Sequence, residues 1–254
     1  MHQDEKKLTK ATIIMGSKLD PFDSLMETST YSWERIKQYC SNETFMQGPI
    51  SVIDYYNELR KRVNEAGPSD MHDSILKLTS VFDSAVIYDE SPLDFIRKSV
   101  EGCVSSGSIV NTPLVKFIRG TIWGSTDPDC NDFFVFQYDP QGYMSTAPSG
   151  KLLRPAVVWP GEEFRQSKYD FEKGLQESDI IVFIGVDLNN HFYDGIANFL
   201  VTNNKKEVIF INDDENSFGE FTKRQLNKYT VYNKLTPSMI ENVKNECELI
   251  LNEE

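Results

Sequence analysis

The stretch Gly150-Lys-Leu-Leu-Arg-Pro-Ala-Val-Val-Trp-Pro-Gly-Glu162 decides the fold of this chain. Its Leu-Arg-Pro segment predicts a turn, and the Val-Val-Trp run after it predicts a short β-strand. Two longer apolar runs lie downstream, at 180–184 before Gly185 and at 207–211 before Asn212. Continuous apolar runs of this length are typical of parallel strands that are buried on both faces.

The rest of the chain alternates between strand and helix patterns. Apolar β-branched runs predict strands at 11–15, 84–87 and 115–118. Helical spacing and end signals predict helices from Ser51 to Gly67-Pro68, over 71–82, 93–101, 167–177 and 192–201, and after Thr236-Pro237. This alternation predicts an α/β fold with a doubly wound, Rossmann-like parallel sheet.

Composition limits the possible classes of function. The 254 residues are 39% hydrophobic, which suits one α/β domain spanning 1–254. A net charge of −13 argues against a nucleic-acid partner, because such proteins carry a basic surface. No apolar run reaches the roughly 18 residues of a membrane span, and the N-terminus has no signal-peptide pattern. We therefore expect an intracellular soluble protein, cytoplasmic or nuclear, without a membrane partner.

Cysteine and histidine are too sparse for a predicted metal site. The four cysteines have no Cys-x-x-Cys spacing, and the chain has three histidines. A structural zinc ion needs about four clustered ligands. We expect isolated, mostly buried thiols and no metal ligands. The cysteines are Cys40, Cys103, Cys130 and Cys247, and the histidines are His2, His72 and His191.

Several short motifs, in order along the chain, resemble those of the sirtuin family. Sirtuins have a Leu-Arg-Pro turn, a Val-Val-Trp/Phe strand and a Gly-Glu pair, which match the segment 153–162. Pro68 and His72 match the Pro-x-x-x-His start of a sirtuin helix, and Phe117-Ile118-Arg119-Gly120 matches a short strand followed by His-Gly. The run from Ser178-Asp179 to Gly185 matches a sirtuin strand that ends in glycine, and Ile211-Asn212 matches the end of the next strand. The resemblance implies a sirtuin-like, DHS-type NAD-binding fold. It also implies a small helical insert at 50–82 and a reduced former zinc-ribbon module, lacking zinc, at 121–152.

The same resemblance implies where a dinucleotide, NAD or ADP-ribose, would be held. In sirtuins, a Gly-Ala-Gly-Ile-Ser loop brings backbone amides to the NAD phosphates, and an asparagine at a strand end meets the adenosine ribose. The corresponding candidate cofactor-binding residues are Gly16, Ser17, Lys18, Arg119, Gly185, Asp187 and Asn212. Lys18 stands in place of the second glycine. It either blocks the close approach of the backbone or contacts a phosphate as a point charge.

The positions that carry sirtuin chemistry are altered. Arg119 occupies the position of the catalytic histidine, and a guanidinium stays protonated and cannot act as a general base. Tyr88-Asp89-Glu90-Ser91 replaces the Gln-Asn-x-Asp motif that holds nicotinamide, and Val186-Asp187 replaces a Thr-Ser pair. His191 is the nearest alternative base in sequence. We therefore expect no catalytic residues.

Three functions remain open from the sequence. The first is a catalytically inactive sirtuin-like protein that acts through protein contacts, as a scaffold or as a non-catalytic subunit of a larger complex. The second is a sensor that binds NAD or ADP-ribose. The third is a residual NAD-dependent deacylase or ADP-ribosyltransferase, because some transfer reactions do not need the histidine base.

Overall fold

The computed structural model describes most of the chain at the level of individual residues. The described residues are 9–20, 38–107, 111–136, 141–142, 145–202, 207–214, 217 and 229–253. Nine strands lie within them: β1 Lys10–Met15, β2 Ser84–Asp89, β3 Leu114–Phe117, β4 Gly120–Asp127, β5 Cys130–Phe136, β6 Arg154–Val157, β7 Ile180–Ile184, β8 Glu207–Ile211 and β9 Tyr229–Tyr232.

Helices connect and flank these strands. The α-helices of the described residues are α1 Asn42–Gln47, α2 Pro49–Ala66, α3 Asp70–Thr79, α4 Phe95–Ser105, α5 Lys168–Glu177, α6 Ile196–Thr202 and α7 Pro237–Glu253. Two short 3₁₀ helices span Ser17–Leu19 and His191–Tyr193. No helix among the described residues is long and apolar enough to cross a bilayer.

The main sheet has six parallel strands in the order β3-β2-β1-β7-β8-β9. The chain builds outward from β1 to β3 on one side and from β7 to β9 on the other. The direction of winding therefore reverses between β1 and β7. In open α/β sheets, ligands bind outside the carboxyl ends of the strands at such a reversal. The predicted doubly wound α/β fold is confirmed.

A second sheet has three antiparallel strands in the order β5-β4-β6. Its residues pack with α2 in a separate apolar core that includes Tyr56, Trp123 and Trp159. Two further cores cover the faces of the main sheet, one containing α3 and α7 and the other containing α5. The segment 50–82, predicted as an insert, thus spans two helices, α2 and α3, that pack into different cores.

Some predicted elements differ in detail. The first long helix begins at Pro49 rather than Ser51, since proline suits the first turn, where no amide partner is needed. The predicted helix over 192–201 is divided into a 3₁₀ turn and α6, because Gly195 adopts a left-handed φ of 82° between them. Strand β9 and helix α1 are additional to the sequence prediction.

The backbones of Gly16 and Gly185 approach closely at the reversal point. A Cβ atom built on Gly16 would lie 1.9 Å from the carbonyl oxygen of Gly185, and Gly185 itself has a φ of 63°. The Gly16 amide also donates to the Ile184 carbonyl at 2.9 Å, and the Gly185 amide donates to the Ile211 carbonyl at 2.8 Å. The carboxyl ends of β1, β7 and β8 are thereby held together.

We expect Gly16→Ala to lower the free energy of unfolding by about 3 kcal/mol, because the methyl group forces two backbones apart. Denaturant unfolding followed by circular dichroism measures the change. Gly102→Ala is the matched control: nothing lies within 4 Å of its Cβ position. It lies in α4, where alanine is favoured over glycine by about 1 kcal/mol. Equal stability of Gly16→Ala and the wild-type protein would contradict the close contact.

Candidate functional site

The sequence-predicted cofactor residues all lie at the carboxyl edge of the main sheet. Gly16, Ser17 and Lys18 follow β1, Arg119 follows β3, Gly185 and Asp187 follow β7, and Asn212 follows β8. Because the six strands are parallel, these positions share one edge. The structure therefore brings together residues that are up to 196 positions apart, from 16 to 212.

Three backbone amides of the loop after β1 have acceptors within the protein. The Gly16 amide donates to Ile184, as described above, and the Leu19 and Asp20 amides donate to the carbonyls of Gly16 and Ser17, each at 3.3 Å. In dinucleotide-binding folds, amides of this loop meet the phosphates. Here these three amides are engaged by backbone carbonyls of the protein itself.

Glu90 lies directly after β2 and is 4% exposed. Its own amide donates to the Met15 carbonyl at 2.9 Å, which fixes its backbone beside the end of β1. Burial raises the pKa of its carboxyl group, while Tyr193, Arg119 and the Ser17 amide oppose that increase by favouring the charged form. The Glu90 carboxylate is thus the centre of a polar group that joins β1, β2 and the segment after β7.

Lys18 reaches across the carboxyl edge toward the end of β8. Its ammonium group lies 3.3 Å from Asn212 Oδ1, 3.5 Å from Asp214 Oδ2 and 3.9 Å from Asp213 Oδ1. The Asn212 side chain is fully buried, and its amide donates to the Val186 carbonyl at 2.8 Å. Both ends of the Asn212 carboxamide are therefore engaged by the protein itself.

Arg119 lies at the carboxyl edge, over the Phe164 ring and near Glu90. Its guanidinium lies 5.3 Å from the centre of the Phe164 ring, and its charge interacts with Glu90. The same Phe164 ring contacts His191 at 4.9 Å between ring centres. The structure thus places His191, the alternative base considered from the sequence, on the ring that Arg119 covers.

Asp187 is directed toward its own loop. Its Oδ1 accepts hydrogen bonds from the backbone amide and the side-chain amide of Asn189, both at 3.0 Å. Asp187 is exposed, and its charge acts on the nearby Glu90. It therefore adds negative charge to the edge.

Buried acidic residues lie below the edge. Asp89 is 1% exposed, and burial, followed by the charge of Asp20, raises its pKa well above the usual carboxyl range. Its Oδ1 accepts from the Ser91 amide at 2.8 Å, whereas its Oδ2 has no hydrogen-bond partner among the described residues. Asp94, also buried, pairs with Arg97. This cluster contains more acidic than basic side chains.

His72 anchors the end of the loop through this cluster. Its Nε2 lies 3.1 Å from Asp20 Oδ1, and its Nδ1 lies within hydrogen-bond distance of the Ser69 amide and hydroxyl, which begin α3. The ring is 1% exposed. His72 therefore joins the start of α3 to the end of the loop after β1. Among the described residues, no group of three or more His, Cys, Asp or Glu is arranged to hold a metal ion.

Side-chain contacts stabilise the segment from β6 to Glu162. The guanidinium of the buried Arg154 lies 4.2 Å from the centre of the Trp159 ring and forms a salt bridge with Glu162 Oε1 at 2.9 Å. Glu162 Oε2 also accepts from the Trp159 amide at 2.9 Å. The Trp159 indole donates to the Tyr56 hydroxyl at 2.8 Å, which ties the strand to α2. Packing and hydrogen bonds account for the Leu-Arg-Pro…Trp…Glu pattern.

Sequence reasoning did not single out Glu90, Tyr193 or Phe164. Glu90 could have been found, because it is an acidic residue directly after a predicted strand, and that position lies at the binding edge of a parallel sheet. Tyr193 and Phe164 offer no such signal, because aromatic residues in a core or packed against it are ordinary.

Comparisons with known proteins agree with the fold. No family model matches the sequence. A NAD-dependent protein deacylase of Bacteroides thetaiotaomicron is 26% identical over 176 residues, covering 66% of this chain and 70% of the relative. A NAD-dependent protein deacylase of Aggregatibacter actinomycetemcomitans is 22% identical over 172 residues, covering 68% of this chain and 76% of the relative.

Solved structures extend the similarity to nearly the whole chain. A Sir2 homologue in complex with NAD superimposes with a TM-score of 0.70 at 15% identity, covering 97% of this chain and 92% of the other. Sir2Tm bound to a propionylated peptide gives a TM-score of 0.63 at 12% identity, covering 94% of each chain. The sirtuin-like fold is confirmed, and the relatives in sequence are NAD-dependent deacylases.

The buried Asp89 carboxyl makes stability depend on pH. A group whose pKa is raised on folding stabilises the fold below its unfolded pKa, and this contribution is lost as the pH rises through the folded pKa. Asp89→Asn keeps the Oδ1 acceptor for Ser91 and removes the charge. We expect the variant to be about 1–3 kcal/mol more stable than the wild-type protein at pH 8.

Denaturant unfolding between about pH 5 and about pH 8 measures this difference, and the stability of Asp89→Asn should fall less than that of the wild-type protein. Asp194→Asn, at an exposed carboxylate, is the control and should follow the wild-type profile. Parallel pH profiles for Asp89→Asn and the wild-type protein would show that Asp89 is not the group responsible.

Proposed function

We propose that this sirtuin-like chain is catalytically inactive and acts through protein contacts, as a scaffold or as a non-catalytic subunit of a larger assembly. The observation that carries the proposal is the setting of Arg119, whose guanidinium lies over the Phe164 ring directly after β3. This is the position at which the resemblance to sirtuins requires a histidine base.

Arg119 cannot remove a proton from a ribose hydroxyl. A guanidinium is already protonated and offers only donors. Loss of a general base costs about 10²–10⁴ in rate. His191 lies in the segment after β7 and packs on the Phe164 ring at 4.9 Å between ring centres, so it does not take the position after β3 where the base is missing.

The charge at the carboxyl edge opposes a dinucleotide. Acidic side chains outnumber basic ones among the described residues that line it: Glu90, Asp187, Asp213 and Asp214 against Lys18 and Arg119. Lys18 is engaged with the acids at the end of β8, and Arg119 interacts with Glu90. The pyrophosphate of NAD carries two negative charges, and the acids of the edge repel them.

The apolar cores and the segment from β6 to Glu162 keep the sirtuin-like fold intact. The three apolar cores are closed, and the strand through Trp159 is braced by Arg154, Glu162 and Tyr56. A stable fold with an altered catalytic position suits a function that depends on shape, which favours protein partners.

A sensor for NAD or ADP-ribose is the second candidate. It is supported by the similarity to a Sir2 homologue solved with NAD and by the gathering of Gly16, Gly185 and Asn212 at one edge. The internal engagement of the Asn212 side chain disfavours it.

We expect the purified protein to release no nicotinamide from NAD above the buffer blank, with acylated peptides or with water alone as acceptor. Arg119→His should also remain at the blank level, because restoring the imidazole leaves Lys18 in the loop after β1 and the acids of the edge unchanged. An active sirtuin run in parallel validates the assay. Release by the wild-type protein would contradict the proposal, whereas release by Arg119→His alone would show that only the base is missing.

The protein from its native source should be part of a larger complex. Size-exclusion chromatography with light scattering should give a mass well above the 29.1 kDa of one chain, with a second protein at fixed stoichiometry. A single monodisperse species of one chain, with nothing bound, would contradict a role in protein contacts.

A further inference from the structure

We propose that Lys18 determines which ligands enter the crevice at the carboxyl edge: its ammonium group occupies the hydrogen-bonding position at Asn212 and excludes molecules that present a ribose there. This role rests on the proposed function, since a chain that no longer uses NAD can fill this position with a side chain of its own. Lys18 is a specificity-determining residue in this account, and the excluded class is nucleosides and their phosphate esters.

The Lys18 side chain spans the carboxyl end of β7. Lys18 follows β1 and Asn212 follows β8, and β7 lies between these two strands in the sheet. The contact of 3.3 Å between the Lys18 ammonium and Asn212 Oδ1 therefore joins residues on either side of β7. The winding reverses between β1 and β7, and ligands of open α/β sheets bind outside the strand ends at such a reversal. A ligand in this crevice would meet the lysine.

The Asn212 side chain has its oxygen fully engaged. A carboxamide oxygen has two lone pairs. Asn212 Oδ1 accepts from the Lys18 ammonium at 3.3 Å and from the Asp214 backbone amide at 3.2 Å. Its Nδ2 donates to the Val186 carbonyl at 2.8 Å, and the side chain is fully buried, so its orientation is fixed. A ribose hydroxyl could donate to Oδ1 only by displacing Lys18, because the other donor belongs to the backbone.

Acidic residues after β8 hold the Lys18 ammonium at this position. The ammonium lies 3.5 Å from Asp214 Oδ2 and 3.9 Å from Asp213 Oδ1. The Ser217 hydroxyl donates to the same Asp214 oxygen at 3.3 Å, which orients that carboxylate toward the lysine. The Lys18 ammonium thus has two hydrogen-bond acceptors and a further negative charge beside it.

Adenosine is the probe that isolates the role of Lys18. It presents a ribose and carries no phosphate, so the acids of the edge do not repel it. Removal of the Lys18 ammonium makes the edge more negative, which would oppose a phosphate ligand and mask any gain in access. Binding of uncharged adenosine therefore reports on access to Asn212.

The test compares adenosine binding by the wild-type protein, Lys18→Ala and Lys18→Arg with isothermal titration calorimetry. We expect no saturable binding by the wild-type protein at about 1 mM adenosine, and a dissociation constant lower by about tenfold or more for Lys18→Ala. Lys18→Arg keeps a cation for the same acceptors and should resemble the wild-type protein. Lys173→Ala, at an exposed lysine of α5, is the control for net charge and should also resemble it.

Thermal unfolding verifies that each variant is folded. If Lys18→Ala does not fold, Lys18→Met, which keeps a long side chain and removes the charge, carries the test. Folded Lys18→Ala that binds no more tightly than the wild-type protein, or Lys18→Arg that binds as tightly as Lys18→Ala, would overturn the role of Lys18. Either result leaves the proposed function in place, because nicotinamide release tests that function separately. Saturable binding by the wild-type protein equal to that of Lys18→Ala would overturn the role of Lys18 and would also favour the sensor over the proposed function.

Discussion

The contact between the backbones of Gly16 and Gly185 holds the carboxyl edge of the sheet together. No side chain fits between them, since a Cβ on Gly16 would lie 1.9 Å from the Gly185 carbonyl oxygen. The two glycines follow β1 and β7, where the winding of the sheet reverses. Both glycines thus have a structural reason to be present, independent of any ligand. Their retention preserves the fold and is not in itself a sign of NAD binding.

This close approach sets the environment of the acids at the strand ends. Glu90 follows β2, the neighbour of β1, and its carboxylate lies against the loop that begins at Gly16. Burying carboxylates costs free energy unless charges or donors compensate. The Ser17 amide and Arg119 supply that compensation for Glu90, and His72 supplies it for Asp20. The polar residues of the edge mainly satisfy one another.

The fold was predictable from the sequence because its central strands carry strong local signals. The runs at 180–184 and 207–211 are apolar on both faces, and the structure has β7 and β8 at these bounds. Strand β9 lacked such a signal, since Tyr229–Tyr232 is a short edge strand with partly exposed side chains. The gathering of Gly16, Arg119, Gly185 and Asn212 followed from strand ends in a parallel sheet. The bonds they make did not, because Lys18 and Asn212 are 194 positions apart, and their contact depends on tertiary packing.

The central claim is that the polar groups of the carboxyl edge are engaged by one another and not by a dinucleotide. Nuclear magnetic resonance of ¹⁵N-labelled wild-type protein observes the Asn212 side-chain amide directly during titration with ADP-ribose. The account predicts that the Asn212 side-chain resonances do not move as ADP-ribose is raised to about 1 mM, because Lys18 and the Val186 carbonyl already engage both ends of this carboxamide. A saturable shift of these resonances, together with those of the Gly16 and Lys18 backbone amides, would contradict it.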